Sequence, residues 1–197
     1  HRDGLTHAKK EDKKMEIKVT KNTSPAEKPT DETKLGFGRI FTDHMFIMDW
    51  TAGVGWHDAQ IVPFGNLSIH PASTVLHYGS EIFEGLKAYR TVSGDICMFR
   101  PQENFKRMNN SALRMGLPTL DNDFALEALT KLVALDSDWV PHGEGTSMYI
   151  RPFMFGDDEH LGIHSVKHAR FVIILSPSGS YYAEGINPVK IMIESHD

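Results

Sequence analysis

The sequence predicts an α+β fold. Strand-like segments come mostly first, two amphipathic helices follow, and strands return afterwards, which suits a layered α+β domain better than regular βαβ winding. Two further observations support this: helical apolar spacing in the middle of the chain, and strict alternation in the segments around it. The 197 residues suffice for one full domain and the start of another.

Residues 1–35 read as a disordered tail. They are rich in Lys, Glu, Asp, Thr and Pro and lack apolar periodicity, and 1–14, ahead of the first methionine at Met15, read as a non-native lead-in. The folded domain is expected over 36–176. Segments 43–51 (DHMFIMDWT) and 56–62 (WHDAQIV) read as strands around a glycine-containing turn, and 96–99 as a third. Pro101 opens a helix where a missing N–H is least costly, with Glu103 in its first turn. Phe105, Met108, Ala112 and Met115 form its expected buried stripe. Asp121 suits the N-cap of a second helix to about Trp139, with Ala125, Ala128, Leu129, Leu132 and Val133 as its stripe. Segments 147–155 and 169–176 read as strands. Residues 177–187 have the chemistry of an interdomain loop, and 189–194 read as a strand opening a second domain over 188–197.

Composition narrows the function. Hydrophobic residues make up 40% and charged residues 24%, as in an ordinary globular protein. A net charge of −5 gives no global attraction for nucleic acid, and no apolar run approaches the ~20 residues that span a bilayer. Cys97 is the single cysteine, so no disulfide forms within this sequence, and a cytoplasmic setting is expected. Dinucleotide, P-loop, zincin and nucleophile-elbow signatures are absent. His160, His164 and His168 recur at i, i+4, i+8, but Gly156 and Gly162 interrupt the stretch; it reads as a surface loop, and no metal is expected.

Three segments carry candidate chemistry. In SMYIRPFMFG, alternation puts Tyr149, Arg151, Phe153 and Phe155 on one strand face. A guanidinium among aromatics needs an anionic partner, either an internal carboxylate or a carboxylate ligand. On the first helix Arg107 lies off the apolar stripe and reads by itself as a solvated arginine. Tyr78 and Phe83 fit pocket walls or an amphipathic core segment equally.

The runs FGRIFTDHMF, LHYGSEIFEGLKAYR, MYIRPFMFG and LSPSGSYY, in order along the chain, are similar to the branched-chain amino acid aminotransferases, which are fold-type-IV pyridoxal-phosphate enzymes. The resemblance implies the two-layer sandwich N-terminal domain of that fold, followed by the first strand of the second domain. It implies transamination of leucine, isoleucine or valine with 2-oxoglutarate, with pyridoxal 5'-phosphate as cofactor, in a homodimer. Arg107 matches the arginine on the cofactor phosphate. Tyr149 and Arg151 match the pair on the substrate carboxylate. Phe37, Phe83 and Tyr181 match side-chain pocket walls, and Tyr78, Leu161 and Ile163 match positions reaching the neighbouring subunit's site. No lysine here matches the Schiff-base lysine, which is expected beyond Asp197; Lys87 is a structural position. Other readings are a D-amino acid aminotransferase, an aminodeoxychorismate lyase, or a non-catalytic fragment.

Overall fold

The computed structural model describes residues 15–179, 188 and 190–194. Its strands are β1 (Lys18–Val19), β2 (His44–Thr51), β3 (Gly55–Pro63), β4 (Glu81–Phe83), β5 (Leu86–Arg90), β6 (Ile96–Met98), β7 (Ser147–Gly156) and β8 (His168–Ser178). The helices are α1 (Thr74–Tyr78), α2 (Pro101–Met115) and α3 (Asn122–Leu135). These eight strands form one mixed sheet in the order β1-β3-β2-β8-β7-β5-β6, with β4 also on β7. Among the described residues only the β1–β3 pair is parallel.

The helices form where expected. Pro101 stands at the start of α2, and Asp121 caps α3 by accepting from the Phe124 N–H at 2.8 Å. Phe105, Met108 and Ala112 are fully buried, as is the stripe of α3. They pack on Met148, Ile150, Met154, Phe171 and Ile173, so α2 and α3 cover one face of the sheet. Removing this much apolar surface from water is the main source of stability.

Four expectations need correction. Residues 15–35 are ordered, not a tail: β1 pairs with β3, and Ile17 and Leu35 are buried. Backbone N–H groups of Asn22 and Ala26 donate to His44 Nε2 and Asp43 Oδ1, partners that periodicity cannot reveal. Met115 leaves the stripe and is half exposed, because it sits in the last turn before the left-handed Gly116. The second helix ends at Leu135, and a short 3-10 turn, Ser137–Trp139, buries the tryptophan. Residues 190–194 form no strand, and Ile191 and Ile193 are exposed, since no described strand lies beside them; Val189 lies outside the described residues. Among the described residues no helix is long and apolar enough to cross a membrane.

Candidate active site

β7 carries the centre of the site. Its alternation buries Met148, Ile150 and Met154 under the helices and turns Tyr149, Arg151 and Phe153 to the opposite face. Arg151 Nη2 donates to the Tyr149 hydroxyl at 2.9 Å. The guanidinium lies 4.2 Å from the Phe83 ring centroid and 5.4 Å from that of Tyr149. Phe37 meets Tyr149 edge-on at 4.8 Å. Among the described residues no carboxylate pairs with Arg151, and its Nε is buried with no hydrogen-bond partner. Aromatic faces offset part of the desolvation of a cation, but an unpaired buried N–H remains costly, at about 1–3 kcal/mol. Of the two partners open at the level of sequence, the internal carboxylate is not found among these residues.

The strand beside Arg151 is shaped for it. Phe83 pairs with Phe153 and Leu86 with Ile150, so Glu84 and Gly85 lie opposite Pro152 and Arg151. Glu84 N–H donates to the Pro152 carbonyl at 2.8 Å, but proline has no N–H to return, which separates β4 from β5. A Cβ on Gly85 would collide with the Tyr149 hydroxyl, so only glycine leaves the phenol its place beside Arg151.

Glu84 points the other way, into the helix-covered side, and is 4% exposed. It accepts from Arg107 Nε at 2.6 Å, Arg107 Nη2 at 2.7 Å and Asn104 Nδ2 at 3.1 Å. Burial pushes the Glu84 carboxyl up; the hydrogen bonds from Arg107 and Asn104 more than reverse this and hold it below the ordinary carboxylate range. The same bonds raise Arg107 further above its ordinary value. Arg107 is therefore held side-on by Glu84, while its end-on Nη1/Nη2 edge has no partner among the described residues and its side chain is 68% exposed. The expected solvated arginine is thus exposed but anchored. Asn104 Nδ2 also reaches the Gly85 carbonyl at 3.3 Å, joining this pair to the Arg151 side.

The structure thus brings together Phe37, Phe83, Tyr149 and Arg151, with Arg107 linked to them through Glu84 and Gly85. Tyr78, Leu161 and Ile163 form a separate group: the Tyr78 hydroxyl accepts from Gly162 N–H at 2.8 Å, between the exposed Leu161 and Ile163. No described contact joins it to Arg151. Tyr181 lies outside the described residues. Glu84, Gly85 and Asn104 were missed. Glu84 had a signal: Ile82, Glu84 and Leu86 share a strand face, and an acid in that apolar series demands a cation.

Comparison with known proteins gives the class first. The fold is shared with solved aminotransferases. The branched-chain enzyme of Escherichia coli aligns with TM-score 0.51 and 25% identity over 70% of this chain and 42% of that one. A second branched-chain enzyme, from T.th. and solved with pyridoxamine 5'-phosphate, aligns with TM-score 0.51 and 29% identity over 70% and 41%. No family model matches the chain. Among curated relatives, branched-chain-amino-acid transaminase 1 of Bacillus subtilis is 51% identical over 85% of this chain and 47% of its own length. The second B. subtilis enzyme is 48% identical over 92% and 50%, and the cytosolic enzyme of Caenorhabditis elegans 44% identical over 92% and 44%. By sequence the chain is similar to the branched-chain aminotransferases, and it spans about half the length of the curated relatives it matches.

Proposed function

We propose that this chain supplies one part of the active site of a pyridoxal-phosphate-dependent branched-chain transaminase. The reaction moves the amino group of leucine, isoleucine or valine to 2-oxoglutarate and gives a branched 2-oxo acid and L-glutamate. The observation that carries this reading is Arg151, a half-buried cation with an unpaired Nε, walled by aromatics and lacking an acid partner among the described residues. Every substrate and product of such a reaction carries an α-carboxylate. A guanidinium fork with a phenol beside it binds that group in either half-reaction. Phe37 and Phe83 supply apolar wall for the branched side chain, with Tyr181 as a further expected wall. Tyr78, Leu161 and Ile163 face the site of the other subunit in a homodimer.

The residues present fit the cofactor. Arg107 has an unpaired end-on edge suited to a phosphate, and Glu84 holds that edge in place. Because Glu84 stays ionised, Arg107 keeps its orientation whether or not phosphate is bound. When bound, pyridoxal phosphate supplies the electron sink, and the protein supplies orientation and electrostatics. The lysine that carries it is expected beyond Asp197. The reading expects the protein in the cytoplasm, in line with its single cysteine.

The test uses a form that includes the lysine. Arg151→Ala should raise KM for leucine and for 2-oxoglutarate together, by about tenfold or more, as expected when a charge-assisted bond worth ~1.5–3 kcal/mol is lost. Arg107→Ala should weaken retention of pyridoxal phosphate on dialysis and leave the ratio of leucine to valine turnover unchanged. Unaltered KM values with a lowered melting temperature would make Arg151 structural and remove the basis of the proposal.

A further inference from the structure

We propose that the connection from β7 to β8 is a divalent-metal site, in which Asp158, His160 and His164 bind one borderline-soft ion such as Zn²⁺. This inference is independent of the transaminase reading. Periodicity groups His160, His164 and His168 and favours no metal; the structure regroups them. His168 opens β8, with its Nδ1 3.4 Å from the Thr51 hydroxyl, and Asp158 takes its place. One ligand atom from each of Asp158, His160 and His164 lies within 4.8 Å of the others. Gly162, at φ +106°, makes the turn that brings the two histidines back on each other without a helix.

The protonation pattern suits ligation. His164 Nδ1 lies 2.7 Å from the Gly162 carbonyl, and His160 Nδ1 lies 3.3 Å from the Leu161 carbonyl. A carbonyl can only accept, so Nδ1 carries the proton in both rings and Nε2 keeps the lone pair. Backbone carbonyls fix metal-binding histidines in this way. His164 Nε2 is buried with no hydrogen-bond partner, and it sits 3.8 Å from Asp158 Oδ2. That separation is too long for a hydrogen bond and slightly longer than the ~3.3 Å between two ligand atoms of a tetrahedral zinc ion.

Asp158 is the fixed point. It is 1% exposed, and its Oδ1 accepts from the N–H groups of Lys167 and His168 at 2.9 and 3.1 Å. The carboxylate is thereby locked to the start of β8, with Oδ2 sharing the Lys167 N–H at 3.2 Å and lying 3.8 Å from His164 Nε2. The two imidazoles stack at 3.8 Å and must open for both to ligate. His160 is exposed and turns without disturbing the core. One carboxylate and two imidazoles, with water completing the shell, suit Zn²⁺ or Co²⁺ better than Ca²⁺ or Mg²⁺, which take oxygen ligands. The groove beside the site, lined by Asp49, Asp157, Glu159 and His160, gives the ion a path from solvent. A bound ion ties both ends of the 160–164 turn to the sheet. It thereby stiffens the segment holding Leu161 and Ile163, which the Tyr78 hydroxyl otherwise contacts only at Gly162.

The test is titration of the chelator-stripped chain with Co²⁺, followed by visible absorption, and with Zn²⁺, followed by calorimetry, at neutral pH. The expected result is one ion per chain, with d–d bands of a low-coordinate nitrogen-containing site. His160→Ala and His164→Ala should each weaken binding at least about tenfold, the scale seen even for partners outside the ligand shell, whereas His168→Ala and His77→Ala leave it unchanged. Zn²⁺ should also slow amide hydrogen exchange across 159–166. Because His160 is exposed, its variant keeps the fold, which circular dichroism checks. Absence of stoichiometric binding would overturn the site, as would binding that persists in the His160→Ala/His164→Ala double variant.

Discussion

Two polar regions of the same sheet are built on opposite principles. Near the start of β2, Asp136 accepts from His44 Nδ1 at 2.6 Å and from His44 N–H at 3.0 Å, and His44 Nε2 accepts from Asn22 N–H at 2.8 Å. Asp43 accepts from Trp139 Nε1 and from Ala26 N–H. In this network each titratable side chain has its partners within the chain. Around Arg151 the groups are equally well placed, yet the buried Nε–H of the guanidinium has no partner among the described residues. A network that closes on itself anchors backbone; one that leaves a buried donor open retains a bond for a further acceptor.

The largest effect should come from breaking the closed network. Asp136→Ala strands two N–H donors of His44, at about 1–3 kcal/mol each. For a chain of this size the melting temperature should fall by about 4–24 °C, and 15–35 should become sensitive to protease. Calorimetry and limited digestion measure both, and a fall below about 2 °C would erase the contrast between the regions. Gly85→Ala comes next. Its Cβ would displace the Tyr149 ring from Arg151, costing about 1–3 kcal/mol of overpacking and weakening carboxylate binding in an active form about tenfold. If thermal stability and KM both stay put, the close approach at Gly85 has no role in the site.

The smallest effect is electrostatic. Glu84 is held below its ordinary pKa by Arg107 and Asn104. Its contribution is complete above the ordinary carboxylate value of ~4.3 and is lost as pH falls through the lowered one. Because Arg107 is largely exposed, the pair is worth about 0.5–1 kcal/mol. Glu84→Gln should flatten the acid limb of the stability curve by that amount and leave the open region's ligand affinity above it nearly unchanged. An acid limb identical to that of the parent would assign the effect to other carboxylates.

Legibility in the sequence follows the same division. Strands β2, β3, β7 and β8 and helices α2 and α3 were legible because each has a long apolar period facing one core. The 15–35 segment was not, since its anchors at Asp43 and His44 are backbone hydrogen bonds that leave no periodic trace. The short β4 and β5 were hidden by Glu84 and Gly85, which contact Arg107 and adjoin Tyr149. The Tyr149/Arg151 face was readable from alternation alone. The meeting of Asp158 with His160 and His164 depends on a glycine turn and on the register of β8, neither of which spacing reports.

The sheet order has a consequence for synthesis. β2 lies between β3 and β8, with Phe46 paired to Ile173. When the β2–β3 hairpin emerges from a ribosome, one edge of its inner strand has no neighbour until almost the whole of this sequence has been made. At about 5–20 residues per second that wait lasts several seconds. During it, the apolar strand His44–Thr51 is an open template for any other extended chain. A nascent chain arranged in this way calls for a holding chaperone before it calls for a cofactor.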